Sequence, residues 1–312
     1  MKLLNLVKFI YFAVFISISL LNVQASSGDR QPIFRDCLER CKFEKCENNK
    51  TPLPVILRLT FWNCESNCKY TCQRQITIDA RKNGQEIHQY YGKWPFIRLF
   101  GVQEPASVLF SVLNGYAHFI NWKTINDSIH PLNPSRLLLK AYVIIGCWTW
   151  FWSSVFHCRD FIFTERMDYF SAGFSVLFMF SIPTLYLMRN SPKYVTRLFI
   201  VLIGVCYVSH VYYLQFVRFS YTYNMAANAI VGLLANVSWI VCAIQLSRTG
   251  TKDYYVPILL IFATDLAFSL EAFDFPPLFD VLDAHSLWHA ATFPISILWY
   301  RWLIGTFSKR LF

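Results

Sequence analysis

The chain has 312 residues, of which 55% are hydrophobic, 18% aromatic and only 15% charged, a balance too apolar for an ordinary soluble domain and suited to a membrane protein. Its 29 Lys and Arg against 19 Asp and Glu give a formal charge of +10. The basic residues are scattered among apolar segments and form no stripe, which argues against a nucleic-acid partner and for a role in membrane orientation.

Residues 1–25 open with Lys2 and Lys8, continue through an apolar run from Phe9 to Leu21, and leave through the small-residue exit Val23-Gln24-Ala25. This is the pattern of a secretory signal peptide cleaved after Ala25. The run is shorter than the ~20 residues a spanning anchor needs. The mature N-terminus is then expected in the lumen.

A small luminal domain is expected over 26–98. Six of the ten cysteines fall within it, as Cys37-x3-Cys41-x4-Cys46 and Cys64-x3-Cys68-x3-Cys72, on two helical segments separated by Thr51-Pro-Leu-Pro54. An even set in a short exported stretch suggests three disulfides, although six cysteines allow ~15 pairings and the spacing does not choose among them. A zinc cluster is disfavoured by the absence of paired C-x2-C spacings. Asn49-Lys-Thr51 is a candidate glycan site, whereas Asn236-Val-Ser238 lies inside an apolar segment. Cys147, Cys158, Cys206 and Cys242 read as packing residues.

Seven apolar segments follow the aromatic stretch Tyr90-Tyr-Gly-Lys-Trp-Pro95, at about 104–122, 137–157, 168–188, 196–215, 223–246, 254–272 and 285–305. The expected architecture is an all-α membrane protein with seven transmembrane helices over 99–312, preceded by the cysteine-rich luminal domain. From a luminal N-terminus, seven crossings leave the C-terminus cytosolic. The charges agree: Lys123, Arg136, Arg189, Lys193, Arg197, Arg248, Lys252, Lys309 and Arg310 fall on the cytosolic side, and Arg159, Arg166 and Arg218 on the luminal side. The last luminal loop, Phe273 to Ala284, is acidic, with Asp274, Asp280 and Asp283.

In this topology Ser153 and His157 end the second segment, Asp168 begins the third, and His285 and His289 begin the seventh, all near one membrane face. Residues four apart share a helix face, so the three histidines can supply nitrogens to one tetrahedral zinc with its fourth position left for water. Such a zinc lowers the pKa of bound water towards ~7. Asp168 is then the candidate base, and Ser153 a donor to the water or to a developing oxyanion. A Ser153–His157–Asp168 triad uses the same residue types but leaves the His285/His289 pair unexplained.

Other polar groups carry weaker signals. Asp160 and Glu165 read as solvated loop charges. Asp283 either orients a ligand imidazole or caps the last helix. Asp265 and Glu271 need partners if buried. Asn224 and Asn228 share a helix face and either bind a headgroup or bridge helices. His88, His118, His130 and His210 read as structural or exposed. A luminal site opening towards lipid favours a lipid with a hydrolysable bond near its headgroup, without separating ester from amide.

Several blocks together resemble the post-GPI-attachment-to-proteins factor 3 family: Gln89-Tyr-Tyr-Gly-Lys-Trp-Pro-Phe96, Trp152-Ser-Ser-Val-Phe-His-Cys-Arg-Asp160, Thr164-Glu-Arg-Met-Asp-Tyr-Phe-Ser-Ala172, Asp274-Phe-Pro-Pro-Leu278 and Leu282-Asp-Ala-His-Ser-Leu-Trp-His289. That family is similar to alkaline ceramidases and to the progestin and adiponectin receptors, seven-helix membrane hydrolases sharing a Ser, an Asp and three His. The resemblance assigns those roles to Ser153, Asp168, His157, His285 and His289. It implies a phospholipase A2-like removal of the sn-2 fatty acid from GPI-anchored proteins, in the Golgi or alternatively the ER. The basic pair Lys309-Arg310 reads as a juxtamembrane flank rather than a retrieval signal. The alternatives are a ceramidase-like amidase and a receptor or metal-handling protein with structural zinc.

Overall fold

A computed structural model describes residues 26–48 and 52–308. The signal-peptide segment, Asn49 and the Lys309-Arg310 tail lie outside the described residues.

The N-terminal unit is a helical hairpin. Helix α1 (Pro32–Cys41) starts on a proline, which fits the first helical turn because that N–H has no intrahelical partner. The short α2 (Val55–Leu59) leads to α3 (Cys64–Lys82), which is started by a reciprocal cap: Asn63 Oδ1 accepts from Ser66 N at 2.8 Å, and Ser66 Oγ accepts from Asn63 N at 3.0 Å. Three disulfides lie across the hairpin in nested order, Cys37–Cys72, Cys41–Cys68 and Cys46–Cys64. All six cysteines of this region are therefore paired, and the three that come within metal-binding distance of one another, Cys46, Cys64 and Cys68, are disulfide sulfurs. Phe34 and Tyr90 close a small core around the bridges.

Seven further helices occupy the seven apolar segments among the described residues: α4 (Pro105–Ser128), α5 (Pro134–Cys158), α6 (Ile162–Leu187), α7 (Lys193–Tyr212), α8 (Tyr221–Arg248), α9 (Val256–Phe268) and α10 (Ala284–Phe307). Three stretches are long and apolar enough to cross a membrane by length and composition, namely α6, α7 with its extension to Val217, and α8. Their exposure differs from that of the others for a physical reason. The α7 stretch has only 6% of its apolar window buried, so nearly all of its apolar surface faces outward. Helices α4, α5 and α10 turn polar side chains inward instead: Ser111, Asn114, His118 and Asn121, then Ser153 and His157, then His289 and Thr292. The segment read at 254–272 departs most from expectation. Its α-helix has only 13 residues, rising about 20 Å, and passes into a 3-10 turn at Ser269–Ala272.

Helices α4, α5 and α10 pack together, with α6, α8 and α9 around them. Tyr142, Ile182, Trp239, Tyr300, Leu303 and Phe307 build the apolar core away from the histidine end. Within it His118 Nδ1 lies 2.7 Å from Tyr300 Oη, and Gly146 lets α5 approach so closely that an added Cβ would stand 2.0 Å from His118 Nδ1. Small residues serve helix contacts in this way.

The acidic loop before α10 is clasped by the disulfide unit. Asp280 accepts from Arg74 at 2.9 Å and pairs with Arg81. Asp274 accepts from Trp94 Nε1 at 2.8 Å and from Gln89 Nε2 at 2.9 Å.

Candidate functional site

The site lies where α4, α5 and α10 meet beneath the disulfide unit. His157 stands in the last turn of α5, and His285 and His289 in the first turns of α10. Helix α10 begins there because Asp283 caps it, accepting from Ser286 N at 2.9 Å, while Ser286 Oγ accepts from Asp283 N at 3.0 Å. Of the two roles open to Asp283, capping is the one its carboxylate performs.

The three rings converge. His157 Nε2 and His285 Nε2 are 3.2 Å apart, and one ligating atom from each of His157, His285 and His289 falls within 4.8 Å of the other two. Each ring is oriented from behind. Glu104 Oε2 lies 2.8 Å from His157 Nδ1, and Glu271 Oε1 lies 2.5 Å from His285 Nδ1. Ser111 Oγ lies 3.0 Å from His289 Nδ1. A carboxylate on one imidazole nitrogen fixes the tautomer and leaves the other nitrogen for a cation, the arrangement found around ligating histidines. The donor set therefore fits a divalent metal with nitrogen preference. His157 and His289 are buried, but the His285 side chain is 37% exposed, so the centre opens on its side.

Glu104 and Ser111 were not singled out in the sequence, and Glu271 was noted there only as an acid that needs a partner if buried. Glu104 occupies the N-cap position of α4, where its side chain makes no cap and turns instead to His157 and Lys93. Lys93 Nζ donates to Glu104 Oε1, lies 3.2 Å from Asp160 Oδ2, and sits 4.0 Å from the centre of the Phe156 ring. Burial alone would lower the Lys93 ammonium, but Glu104 and Asp160 raise its pKa above the ordinary lysine value. Asp160, read as a solvated loop charge, is thus the half-buried outer end of an ionic chain running Asp160–Lys93–Glu104–His157 inward. Glu165 makes no side-chain ion pair among the described residues.

Ser153 is buried and its Oγ lies 3.0 Å from Ser111 Oγ, linking it through Ser111 to His289. No hydrogen bond joins Ser153 to His157, or His157 to Asp168, among the described residues. Asp168, in the second turn of α6, lies within electrostatic reach of His157 and His285. Its carboxylate accepts no hydrogen bond among the described residues. Asp265 is partnered by Asn236 at 3.1 Å, and Asn228 bonds to Asn224 at 3.1 Å within α8, so neither pair joins the histidine centre. His210 stacks on Tyr223, and His88 lies 2.9 Å from Ser27 Oγ.

The sequence was then compared with known proteins. The model of the Per1-like family matches residues 54–307. The chain is 38% identical over 311 residues to the "Protein PER1 homolog" of Schizosaccharomyces pombe, covering 97% of this chain and 94% of that one. It is 37% identical over 291 residues to the "GPI-specific phospholipase A2-like PGAP3" of Danio rerio, covering 90% of each. To the human protein of the same name it is 34% identical over 285 residues, covering 89% of this chain and 88% of that one. No solved structure matches. With most of its length matched by the family model and by full-length relatives, this chain belongs to the Per1-like family.

Proposed function

We propose that this protein is a metal-dependent lipid hydrolase that removes the sn-2 fatty acid from the GPI anchors of proteins. The observation that carries the metal dependence is the convergence of His157, His285 and His289, each held by a group on its far nitrogen. The choice of GPI rests on the relatives named GPI-specific phospholipase A2-like. The reading includes seven spans over 99–312, a luminal unit over 26–98, and residence in the Golgi membrane, with the ER as the alternative.

His157, His285 and His289 would hold zinc, which when bound supplies a Lewis acid and a source of nucleophilic water at neutral pH. Asp168 lies within electrostatic reach of two of these imidazoles and has no hydrogen-bond partner on its carboxylate among the described residues, and in this reading it accepts the proton of an attacking water and returns it to the leaving alcohol. Ser153, held by Ser111, presents a neutral O–H to the oxygen on which charge develops. Glu104 and Glu271 keep the rings in register. The ester is attacked by water, its acyl–oxygen bond breaks, and a free fatty acid and a lyso-GPI result.

The test is lipid analysis of GPI anchors from cells lacking the protein. Re-expression of wild type is expected to restore sn-2 deacylation, and His289→Ala to leave the anchors diacylated. Unchanged anchor lipids in the null cells would refute the GPI assignment. A ceramidase-like amidase remains the second reading for the same donor set, and ceramide turnover in those cells separates the two.

A further inference from the structure

A cavity of about 280 Å³ lies between the disulfide unit and the histidine end of the bundle, near the lower limit of ~300–1,000 Å³ for small-molecule sites. Its lining adjoins the histidine centre in sequence and through hydrogen bonds. Gln103 and Arg159 line it, and the backbones on which they lie are joined by Gln103 N to Cys158 O at 2.9 Å and Glu104 N to His157 O at 3.1 Å. Lys93, also in the lining, donates to the Glu104 carboxylate that orients His157. A ligand seated here touches Arg159, two residues beyond His157, and Gln103, next to the Glu104 that orients that ring.

The lining defines the ligand's chemistry. Tyr91 is 51% exposed and carries Lys69 Nζ 5.1 Å from its ring centre. The Trp94 ring is fixed by its hydrogen bond to Asp274. Gln103 Oε1 accepts from Asp160 N at 3.2 Å, whereas its Nε2 and the side-chain amide of Gln73 have no partner among the described residues. Arg159 Nε is buried without a hydrogen-bond partner there. Lys69 Nζ pairs with Glu65 at 2.9 Å, and Arg159 Nη1 donates to Gln103 Oε1 and Asp160 O at 3.3 Å, so each cation keeps further N–H donors. Aromatic faces beside unshared amides and these two cations suit a ligand that has C–H faces, hydroxyls and a negative charge. An acyl chain placed here would leave those donors unpaired, at a cost for each one buried.

We propose that this cavity binds the glycan-phosphate headgroup of the substrate and thereby delivers its acyl ester to the histidine centre. The proposal rests on the GPI-directed reading above and adds to it a headgroup site in the disulfide unit. Aromatic rings receive the sugar faces, Gln73 and Gln103 bond the hydroxyls, and Lys69 and Arg159 face the phosphate, where a charge-assisted hydrogen bond is strong.

The test uses full-length protein in detergent and, as probe, a synthetic mannosyl-glucosaminyl-inositol phosphate without acyl chains, titrated by calorimetry. Wild type is expected to bind it, and Tyr91→Ala and Gln73→Ala are each expected to weaken binding about tenfold, the size of one lost contact. In turnover assays both should raise KM with little change in kcat. His289→Ala should bind the probe like wild type, so that a failure of the hydrolase reading leaves this measurement intact. Absence of binding by wild type, unchanged affinity in both variants, or equally tight binding of inorganic phosphate alone would overturn the proposal.

Discussion

The Nε2 atoms of His157 and His285 face each other at 3.2 Å, with each ring backed by a carboxylate, Glu104 on one and Glu271 on the other. Two imidazole nitrogens brought this close, with their outer nitrogens already engaged, are arranged for a shared cation. His157→Ala, His285→Ala and His289→Ala should therefore each lower bound zinc and abolish lipid remodelling. Metal analysis of the purified variants checks this, and wild-type zinc and activity in all three would count against it.

Glu104 acts behind its histidine. Glu104→Gln should lower metal affinity by roughly 10–100-fold, as loss of a partner behind a ligating histidine does, without abolishing the fold. Lys93→Met should be worse for stability, costing about 3–5 kcal/mol, because it leaves a buried carboxylate without its counter-charge. The pH sense follows from Lys93, whose pKa is raised on folding. Its stabilising contribution is fully present below the unfolded value of ~10.4 and is lost only as pH rises through the higher folded value. Thermal melts of wild type should accordingly show no loss from this group between pH 5 and pH 9, estimates set by those same values.

Asp168 and Ser153 are expected to govern rate without governing metal content. Asp168→Asn should keep zinc and lose about 10²–10⁴ in rate, since an amide bonds to water but cannot take its proton. Ser153→Ala should lose about 10²–10³, the share of one oxyanion donor. Equal loss of metal and rate in Asp168→Asn would make that residue structural.

The disulfide unit offers a direct covalent check. Peptide mapping without reduction should recover Cys37–Cys72, Cys41–Cys68 and Cys46–Cys64 as linked pairs. Cys37→Ser should impair export, because removing a bridge from a small exported domain costs about 2–5 kcal/mol.

The two cysteine-bearing helices and the seven apolar helices were legible because cysteine spacing and apolar length are local signals. The three histidines were legible because i, i+4 spacing and a shared membrane end brought them together. Their partners were not. Glu104 stands 53 positions before His157 and looks like an ordinary acid ahead of a helix-starting proline. Glu271 reaches His285 only because the sixth apolar segment leaves its α-helix at Phe268 and turns. Ser111 is one of many serines on an apolar helix, and only packing sets it between Ser153 and His289. Lys93 appeared in the sequence as part of an aromatic approach to the membrane, and its role depends on how the disulfide unit docks on the bundle. Mean hydropathy underrates α4, α5 and α10, since it counts their inward polar side chains as if they faced outward.

The central claim is that water, activated at a histidine-held metal, cleaves the lipid without an acyl-enzyme. The most direct measurement supplies the purified protein in detergent with a GPI carrying a labelled sn-2 chain. The account predicts release of labelled fatty acid that a chelator stops and zinc restores, with no label on protein. Acyl label trapped on Ser153, together with turnover indifferent to the chelator, would contradict it.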